Sequence, residues 1–480
     1  MRKILPYAIL PLVILVSLAA FIDRQDKGQQ PISADYKIDT LAKGLIVPWS
    51  MVFIDNNTLL FSERNGKLRL LRNDQLISRP ALVVEQIDTT KKMGLLGICI
   101  HPDFFKNGYV YISYNYSVDK KALLRVARYH FSNDTLTDPI IIIDSINASQ
   151  NHTGCRLKFG PDSKLYITSG DADRPILAQD LKSLNGKILR VNDDGSIPAD
   201  NPFVKNDTAR KEIWTYGHRN TQGIDFQTST GDLYNSEHGP TGGDEVNLIR
   251  KGMNYGWPLI HHQETRENMV SPLFEFTPSV GPSEVVFYNA NAFPNLKGSL
   301  LMACLRGEAI VRFQLDRQKI ISKENLIEHG YGRIRALVVG PDGYIYFSTS
   351  QNDPPEGKPV EGYDMILRMR PVSSSGISQH VDTVQKFVNK PAGKKTMENI
   401  YMEMCASCHG KNLEGTERAK SMIDGQWEYG GRKQDIIKSI HDGIISKGMP
   451  AWEGALTDKE IAGITDFIIR KNAKKKSKNN

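Results

Sequence analysis

The sequence predicts an all-β six-bladed β-propeller followed by a small all-α domain. Three observations support this prediction. One hairpin pattern recurs six times, a segment containing Ser, Gly and Pro follows the last copy, and the apolar spacing becomes helical beyond that segment. A chain of 480 residues is longer than most single domains, so two folded units are expected.

The repeated hairpin consists of an apolar residue, a polar turn and an alternating strand. Copies begin at Phe53, Ile100, Phe159, Phe226, Asn295 and Val339. They lie roughly 45 to 70 residues apart, which fits one four-stranded blade with its loops. A β-sandwich can contain similar hairpins, but sixfold repetition favours a closed propeller, which protects its sheet edges.

The N-terminal segment resembles an export signal. Two basic residues precede an apolar run, and Ser17 and Ala19 have the spacing that a signal peptidase prefers. The run is also long enough to stay in a membrane. Residues 1–22 are therefore predicted to be a signal peptide or a membrane anchor. Both outcomes place the protein in the periplasm or otherwise outside the cytoplasm, and the second attaches it to the inner membrane.

Composition and periodicity divide the rest of the chain. The predicted propeller occupies residues 36–370, and residues 371–395 have the composition of a linker. Residues 396–472 are predicted to form the α-domain. In that domain Met397–Met404 is one expected helix, and a capping box at Thr457 is expected to begin another.

Charge and cysteine content exclude some functions. The net charge is +7, and residues 473–480 contribute to it as an expected solvated basic tail. No basic stripe alternates with aromatic residues elsewhere, so nucleic acid is not an expected partner. Cys99, Cys155 and Cys304 lie in apolar runs and are expected to be buried small hydrophobic residues without disulfide partners.

The motif Cys405-Ala-Ser-Cys408-His409 has the spacing of c-type haem attachment. Two thiols three positions apart can bond to the haem, while the adjacent histidine can bind its iron. Met449, in a Gly-Met-Pro turn, is the expected second iron ligand, and Met422 is the alternative. A zinc site would need a second Cys/His pair, and a thiol redox pair would not need the histidine.

Polar residues cluster at four predicted turns of the propeller. Arg306, Arg333 and Arg335 can hold a ligand with several carboxylates through forked hydrogen bonds. His152 is the expected general base, and Asp171 is expected to orient it. One such cluster is more often only a hydrogen-bonded loop, but four of them indicate a shared central site.

The turn at Gly239 and Pro240 has the features of a cation site. Both residues leave carbonyl oxygens free for a hard cation, and Asp244 and Glu245 add carboxylates nearby.

Residues 36–370 resemble the soluble glucose and aldose sugar dehydrogenases that depend on pyrroloquinoline quinone (PQQ), and residues 396–470 resemble class I cytochromes c. The first resemblance spans the whole propeller. Its supporting runs are Gly94-Leu-Leu-Gly97 with His101-Pro-Asp-Phe104, Asn151-His152, Leu184-Asn-Gly-Lys-Ile-Leu-Arg-Val-Asn192 with Asp194-Gly-Ser-Ile-Pro198, Tyr216-Gly-His-Arg-Asn220, Gly239-Pro240 with Asp244-Glu245, and Asn254-Tyr-Gly-Trp-Pro258.

The resemblance implies roles for the matching residues. His152 removes the proton from the anomeric hydroxyl of the sugar. Gly239 and Pro240 present carbonyls to a calcium ion. Arg219, which is expected to be catalytic, and Asn220 contact the quinone and the reacting oxygen. The other cofactor-binding residues are Arg306, Arg333 and Arg335. The residues that fall at a second, structural calcium are Asp244, Glu245 and Tyr255.

Three departures from the family pattern bear on the sugar. Lys92 stands where the family usually has Gln or Glu, Phe274 and Thr277 replace aromatic residues of the sugar pocket, and Arg306 replaces a lysine. The resemblance therefore implies the cofactor more firmly than it implies the sugar.

The combined interpretation is a quinohaemoprotein. It oxidises an aldose or a related sugar through PQQ and passes the electrons to a covalent haem c and then to a downstream cytochrome or terminal oxidase. Two alternatives stay open: a carbohydrate-binding propeller and a calcium-dependent lactonase, each fused to the electron-transfer domain. Clustered arginines argue against the lactonase, because a neutral lactone needs no such clamp.

Overall fold

The computed structural model describes residues 36–240, 242–351, 364–372, 397–415, 419–423, 427–444, 449 and 458–476. The predicted leader at 1–22 and most of the predicted linker, 373–395, lie outside these ranges. Within them, no helix is both long and apolar enough to cross a membrane.

β-Strands dominate the described residues up to position 371. In chain order the strands are β1 Tyr36–Leu45, β2 Pro48–Phe53, β3 Thr58–Glu63, β4 Lys67–Arg72, β5 Gln75–Leu76, β6 Leu82–Val83, β7 Leu95–Ile100, β8 Tyr109–Val118, β9 Lys121–Ser132, β10 Thr135–Asn147, β11 Leu157–Phe159, β12 Leu165–Ser169, β13 Lys187–Val191, β14 Ile213–Tyr216, β15 Thr221–Phe226, β16 Leu233–Glu237, β17 Asp244–Ile249, β18 Phe274–Phe276, β19 Pro282–Tyr288, β20 Ser299–Cys304, β21 Ala309–Asp316, β22 Lys319–Glu328, β23 Ile334–Val339, β24 Ile345–Thr349 and β25 Asp364–Pro371.

These strands form six antiparallel sheets, which confirms the six-bladed propeller. Five sheets use strands in chain order, namely β2 to β5, β7 to β10, β11 to β14, β15 to β18 and β19 to β22, and β6 pairs with β4 beside the first of them. The six predicted hairpin copies correspond to the first two strands of each blade, where the polar turn joins an inner strand to its neighbour.

The sixth blade joins the two ends of the propeller. Its strand order is β1-β25-β24-β23, and β1 pairs with β25 from Tyr36 opposite Pro371 to Leu45 opposite Asp364. Arg370 Nε lies 2.6 Å from Asp39 Oδ2 across this pair. The first strand of the domain therefore completes the last blade and closes the ring, which leaves only the outer strand of each blade as an edge.

One face of the ring collects the functional loops. Neighbouring strands of a blade are antiparallel, so the loop between the second and third strands opens on the same face as the loop that leads to the next blade. We call this the site face. The loops of this face that carry predicted site residues are 148–156, 170–186, 217–220, 238–243, 305–308 and 329–333.

Apolar side chains fill the space between blades. One cluster joins Trp49 of the first blade, Leu96 of the second and Ile213 of the third. Because both faces of a blade are covered, a strand such as β3 is buried at every position. Cys99, Cys155 and Cys304 are buried free thiols, as the sequence predicted.

The helices are short in the propeller and longer near the C-terminus. They are α1 Phe104–Asn107, α2 Met397–Met404, α3 Ala406–His409, α4 Lys433–Asp442 and α5 Asp458–Lys476. Helix α2 has the predicted bounds, and α5 follows the predicted cap at Thr457, which lies outside the described residues. Helix α5 continues to Lys476, four residues into the segment predicted as a basic tail. Its Ile461, Ile464 and Phe467 pack with Ile400 and Tyr401 of α2.

Ring closure can be tested at Leu45, which is buried at the end of β1. We expect Leu45→Ala to lower the free energy of unfolding by about 2–5 kcal/mol, because it leaves a cavity between the first and last blades. Denaturant titration followed by tryptophan fluorescence measures the effect. Ile140→Ala, on the exposed outer strand of another blade, is the control. Equal effects of the two variants would contradict the proposed role of β1.

Candidate active site

His152 and Asp171 form a direct pair on the site face. His152 Nδ1 lies 2.8 Å from Asp171 Oδ1, and Asp171 is fully buried. The approach depends on Gly170, because a Cβ atom there would lie 1.9 Å from the His152 carbonyl oxygen. The structure therefore brings together the two residues that the sequence predicted as base and orienting carboxylate.

Hydrogen bonds fix the tautomer of His152. Because a carboxylate only accepts hydrogen bonds, Nδ1 must donate its proton to Asp171 and Nε2 remains the basic nitrogen. The second carboxylate oxygen, Oδ2, accepts a hydrogen bond of 2.8 Å from Trp257 Nε1. None of the described residues hydrogen-bonds to His152 Nε2, so this atom is available to a substrate proton.

A buried carboxylate supports the next loop, 217–220. Glu237 accepts hydrogen bonds from His218 Nδ1 at 2.8 Å and from the main-chain N–H of Arg219. The His218 ring stacks on Tyr255 with 4.7 Å between ring centroids. Burial alone would raise the pKa of Glu237, but the electrostatic interaction with His218 and these hydrogen bonds hold it below its ordinary value.

The Arg219 side chain is positioned by two contacts. One guanidinium nitrogen donates to the carbonyl oxygen of His238 at 3.2 Å, and the group lies 5.3 Å from the centre of the Trp257 ring. Its Nε is a buried donor without a hydrogen-bond partner among the described residues. Arg219 therefore retains an unused donor.

Asn220 and Arg335 are joined through Gln222, a residue to which the sequence assigned no role of its own. Gln222 donates to Asn220 Oδ1 at 2.9 Å and accepts from Arg335 at 3.0 Å. The guanidinium groups of Arg156 and Arg335 lie 4.2 and 5.6 Å from the centre of the Trp49 ring. No local pattern identifies Gln222, Trp49 or Arg156, because their partners come from different blades.

Positive charge concentrates around His238. Burial lowers the pKa of this imidazole well below its ordinary value, and the charges of Lys92, Arg219 and Arg335 lower it further. Its Nε2 donates to the carbonyl oxygen of Pro282 at 2.6 Å. A neutral ring surrounded by three cations indicates a pocket suited to a ligand with several negative charges.

The Gly239-Pro240 turn is held by Asp244. Asp244 Oδ1 accepts from the Gly239 N–H at 2.9 Å, and Oδ2 accepts from Ser279 Oγ and the Gly281 N–H at 2.6 and 2.8 Å. Burial raises the pKa of Asp244. Among the described residues, none donates a hydrogen bond to the carbonyl oxygens of Gly239 or Pro240. The turn thus offers two adjacent oxygens, while Asp244 serves to shape it.

The other predicted calcium ligands are only partly brought together. Glu245 lies opposite Glu237 and Glu275 in the cross-strand register, and burial together with the charge of Glu237 raises its pKa well above the ordinary value. The Tyr255 hydroxyl donates instead to the carbonyl oxygen of Leu248 at 2.6 Å. Within the described ranges, no group of three or more His, Cys, Asp or Glu side chains could hold a metal ion.

The remaining two arginines occupy site-face loops. Arg306 is exposed on the 305–308 loop, and Arg333 is half-buried immediately before β23. A cavity between the 217–220 and 238–243 loops is lined by Arg219, Glu245, Trp257 and the Gly239-Pro240 turn. The predicted residues on these loops therefore share one face, and the cavity lies at the Gly239-Pro240 turn.

The haem motif lies between α2 and the end of α3. Cys405 immediately precedes α3, and His409 is its last residue. His409 Nδ1 is buried without a hydrogen-bond partner among the described residues, and burial lowers the pKa of His409. Met449 and Met422 both pack against the same apolar cluster as Cys405, so both predicted methionines remain candidates. The Cys408 side chain lies outside the described residues.

Comparison with known proteins agrees with this geometry. Residues 45–356 match the family described as Glucose / Sorbosone dehydrogenase. The chain belongs to the glucose/sorbosone dehydrogenase family. Residues 392–468 match the family described as Cytochrome C oxidase, cbb3-type, subunit III, so this family member ends in a cytochrome c domain.

Three relatives illustrate the similarity of the propeller. An aldose sugar dehydrogenase of Escherichia coli is 33% identical over 66% of this chain and 91% of its own length. Quinoprotein glucose dehydrogenase B of Acinetobacter calcoaceticus is 35% identical over 53% of this chain and 59% of its own. The PQQ-bound structure of aldose sugar dehydrogenase from Streptomyces coelicolor is 29% identical, covers 70% of this chain and 98% of its own, and has a TM-score of 0.62.

Replacing the buried Glu237 tests the support of the 217–220 loop. We expect Glu237→Gln to lower the free energy of unfolding at neutral pH by about 3–5 kcal/mol, because the His218 pair is broken inside the protein. Since the folded-state pKa of Glu237 is lowered, its stabilisation exists above the unfolded pKa and is lost as pH falls through the folded value.

The loss caused by Glu237→Gln should therefore shrink below about pH 4.3, the ordinary pKa of Glu. Denaturant titrations at neutral and acidic pH measure it. Glu308→Gln, on an exposed loop of the same face, is the matched control. A stability loss that does not change with pH would contradict the ionised pair.

Proposed function

We propose that the chain is a quinohaemoprotein that oxidises an aldose or a related sugar at the anomeric hydroxyl. PQQ in the propeller takes the electrons, and the C-terminal haem c passes them to a respiratory acceptor, either a cytochrome or a terminal oxidase. The observation that carries the proposal is the His152–Asp171 pair, in which His152 Nε2 has no hydrogen-bond partner among the described residues. The loops of this pair open on the same face of the propeller as the cation-rich pocket at Arg219 and His238.

The residues of the pocket fit a quinone with several carboxylates. Arg219 retains a buried donor without a partner among the described residues, and three cations surround the neutral His238. We assign cofactor binding to Arg219, Asn220, Arg306, Arg333 and Arg335. PQQ, when bound, supplies the acceptor for the hydride equivalent of the sugar.

We place calcium at the carbonyl oxygens of Gly239 and Pro240. Main-chain oxygens are ligands that calcium prefers, and none of the described residues uses this pair. Asp244 holds the turn from behind through Gly239 N–H. For a second calcium we assign Asp244, Glu245 and Tyr255. Glu245 Oε2 accepts a hydrogen bond from Asn247 at 2.9 Å, and Asp244 and the Tyr255 hydroxyl are also hydrogen-bonded.

His152 acts as the general base in this proposal. Its Nε2 accepts the proton of the sugar hydroxyl, and the resulting imidazolium is stabilised by the carboxylate of Asp171 at Nδ1. Burial of Asp171 strengthens this interaction, because the surroundings screen charge less than water does. Asn220 is fixed through Gln222 and Arg335.

The C-terminal domain holds the haem through its own residues. We assign attachment to Cys405 and Cys408 and iron ligation to His409 and Met449. The lowered pKa of His409 favours the neutral imidazole that a metal needs. Haem, when bound, supplies a one-electron carrier. Export through residues 1–22 would bring this domain to the acceptors of the periplasm.

Substitution of His152 and Asp171 tests the proposed oxidation. In protein loaded with PQQ and calcium, we expect His152→Ala to lower the kcat of aldose-dependent dye reduction by about 10²–10⁴-fold, because no other side chain takes the proton. Asp171→Asn should lower it as well, with cofactor binding retained in both. His329→Ala, an exposed histidine on the same face, is the control.

If His152→Ala kept full activity, His152 would not be the general base. Absence of aldose oxidation in the wild-type protein would instead support a binding or hydrolytic propeller, and lactone hydrolysis measured on the same sample separates those two.

Two methionine variants test the haem ligand. Met449→Leu should lower the haem reduction potential and remove the spectroscopic signature of a thioether ligand, because Met/His ligation raises the potential. Met422→Leu removes a similar side chain from the same cluster and should leave both unchanged. Redox titration of the full-length protein, followed by absorbance, measures the reduction potential and the spectrum of each variant. The reverse pattern would assign the iron ligand to Met422.

A further inference from the structure

Trp257 contacts both halves of the candidate site. Its indole Nε1 donates to Asp171 Oδ2 at 2.8 Å, which is the carboxylate oxygen that His152 does not use. The face of the same ring receives the guanidinium of Arg219, 5.3 Å from its centre. One side chain therefore touches the carboxylate behind the base and a cation of the cofactor pocket.

The position of the indole is fixed by main-chain contacts. Trp257 N–H donates to the carbonyl oxygen of Gly217 at 2.9 Å, and its own carbonyl oxygen accepts from Gln179 Nε2 at 2.7 Å. These bonds attach Trp257 to the two loops that carry Arg219 and Asp171. Because the backbone is held independently of the ring, a substitution of the ring can change the site without removing these attachments.

The hydrogen bond to Asp171 has a specific consequence. Asp171 is fully buried, so an oxygen without a donor would remain desolvated and the carboxylate could turn away from His152. Oδ1 is already shared between His152 Nδ1 and the N–H of Asp173 at 2.9 Å. Trp257 supplies the donor for the opposite oxygen and so sets the plane of the carboxylate.

We propose that Trp257 is a positioning residue that couples the orientation of the His152–Asp171 pair to the cation Arg219. The hydrogen bond aligns the base, and the ring face holds the guanidinium where a cofactor carboxylate would bind. The effect on catalysis rests on the proposed oxidation, while the contact between Trp257 and Asp171 exists in the chain alone.

Two substitutions separate the contacts. Trp257→Phe keeps an aromatic face for Arg219 and removes only the N–H, so we expect kcat to fall about 10–100-fold with PQQ binding unchanged. Trp257→Leu also removes the ring, so PQQ should bind about 3–30-fold more weakly. Trp214→Phe is the control for the loss of an indole N–H. Trp214 lies on β14, and its ring is stacked with Arg190 instead of Arg219.

An isotope measurement distinguishes positioning from loss of folded protein. Expressing kcat per molecule of bound PQQ corrects for loss of folded protein. If Trp257→Phe slows the oxidation step, an aldose deuterated at C1 should show an isotope effect on kcat at least as large as in the wild type. Unchanged kcat per bound PQQ in Trp257→Phe, or a smaller isotope effect than in the wild type, would overturn the proposal.

The contact between Trp257 and Asp171 can also be measured by stability, with no assay of activity. In the cofactor-free full-length chain, denaturant titrations of Trp257→Phe, Asp171→Ala and the double variant form a cycle. We expect Trp257→Phe to destabilise the wild-type background and to have little effect when Asp171 is absent. Additive effects would refute the contact, whatever the substrate proves to be. Failure of the wild type to oxidise any aldose, with a coupled cycle, would refute only the proposed function.

Discussion

Closure of the ring by β1 is the constraint on which the site depends. The base and its carboxylate come from loops on either side of β11 and β12, Arg219 precedes β15, and Arg306 and Arg333 belong to the last two blades. The loops of Arg306 and Arg333 share the site face with that pair because β1 pairs with β25 and so closes the ring between the last blade and the first. Nothing in any single blade would bring His152 within reach of a ligand held by Arg335.

Polar contacts across the axis complement the apolar packing between blades. Arg156 is buried and contacts Ser50 at 2.9 Å, the carbonyl oxygen of Gln222 at 3.1 Å and Glu284 at 3.0 Å, so one cation reaches the inner strands of three other blades. A buried charge is tolerated only when it is paired and hydrogen-bonded. Arg156 also shares the Trp49 ring with Arg335, at 4.2 and 5.6 Å from the ring centre.

The fold and much of the site follow from local patterns, while the supporting residues do not. The hairpin at Phe159 or Val339 contains its own turn and alternating strand, so each blade is encoded within a short segment. His152 and Asp171 were predictable because their residue types suit one reaction. Trp257 and Gln222 were not, because Trp257 meets Asp171 across 86 positions and Gln222 meets Arg335 across 113. Asp244 is a further case: its residue type predicts a cation ligand, but its hydrogen bonds to Gly239, Ser279 and Gly281 depend on loops that are far apart in the sequence.

Electron transfer from the propeller to the haem within one chain is the central claim, and rapid mixing tests it most directly. Protein loaded with PQQ and calcium is mixed with an aldose, and haem absorbance is followed at several protein concentrations. The account predicts haem reduction with a rate constant independent of protein concentration, and none when PQQ is omitted. A haem that stays oxidised while an added dye is reduced by the same sample would contradict it.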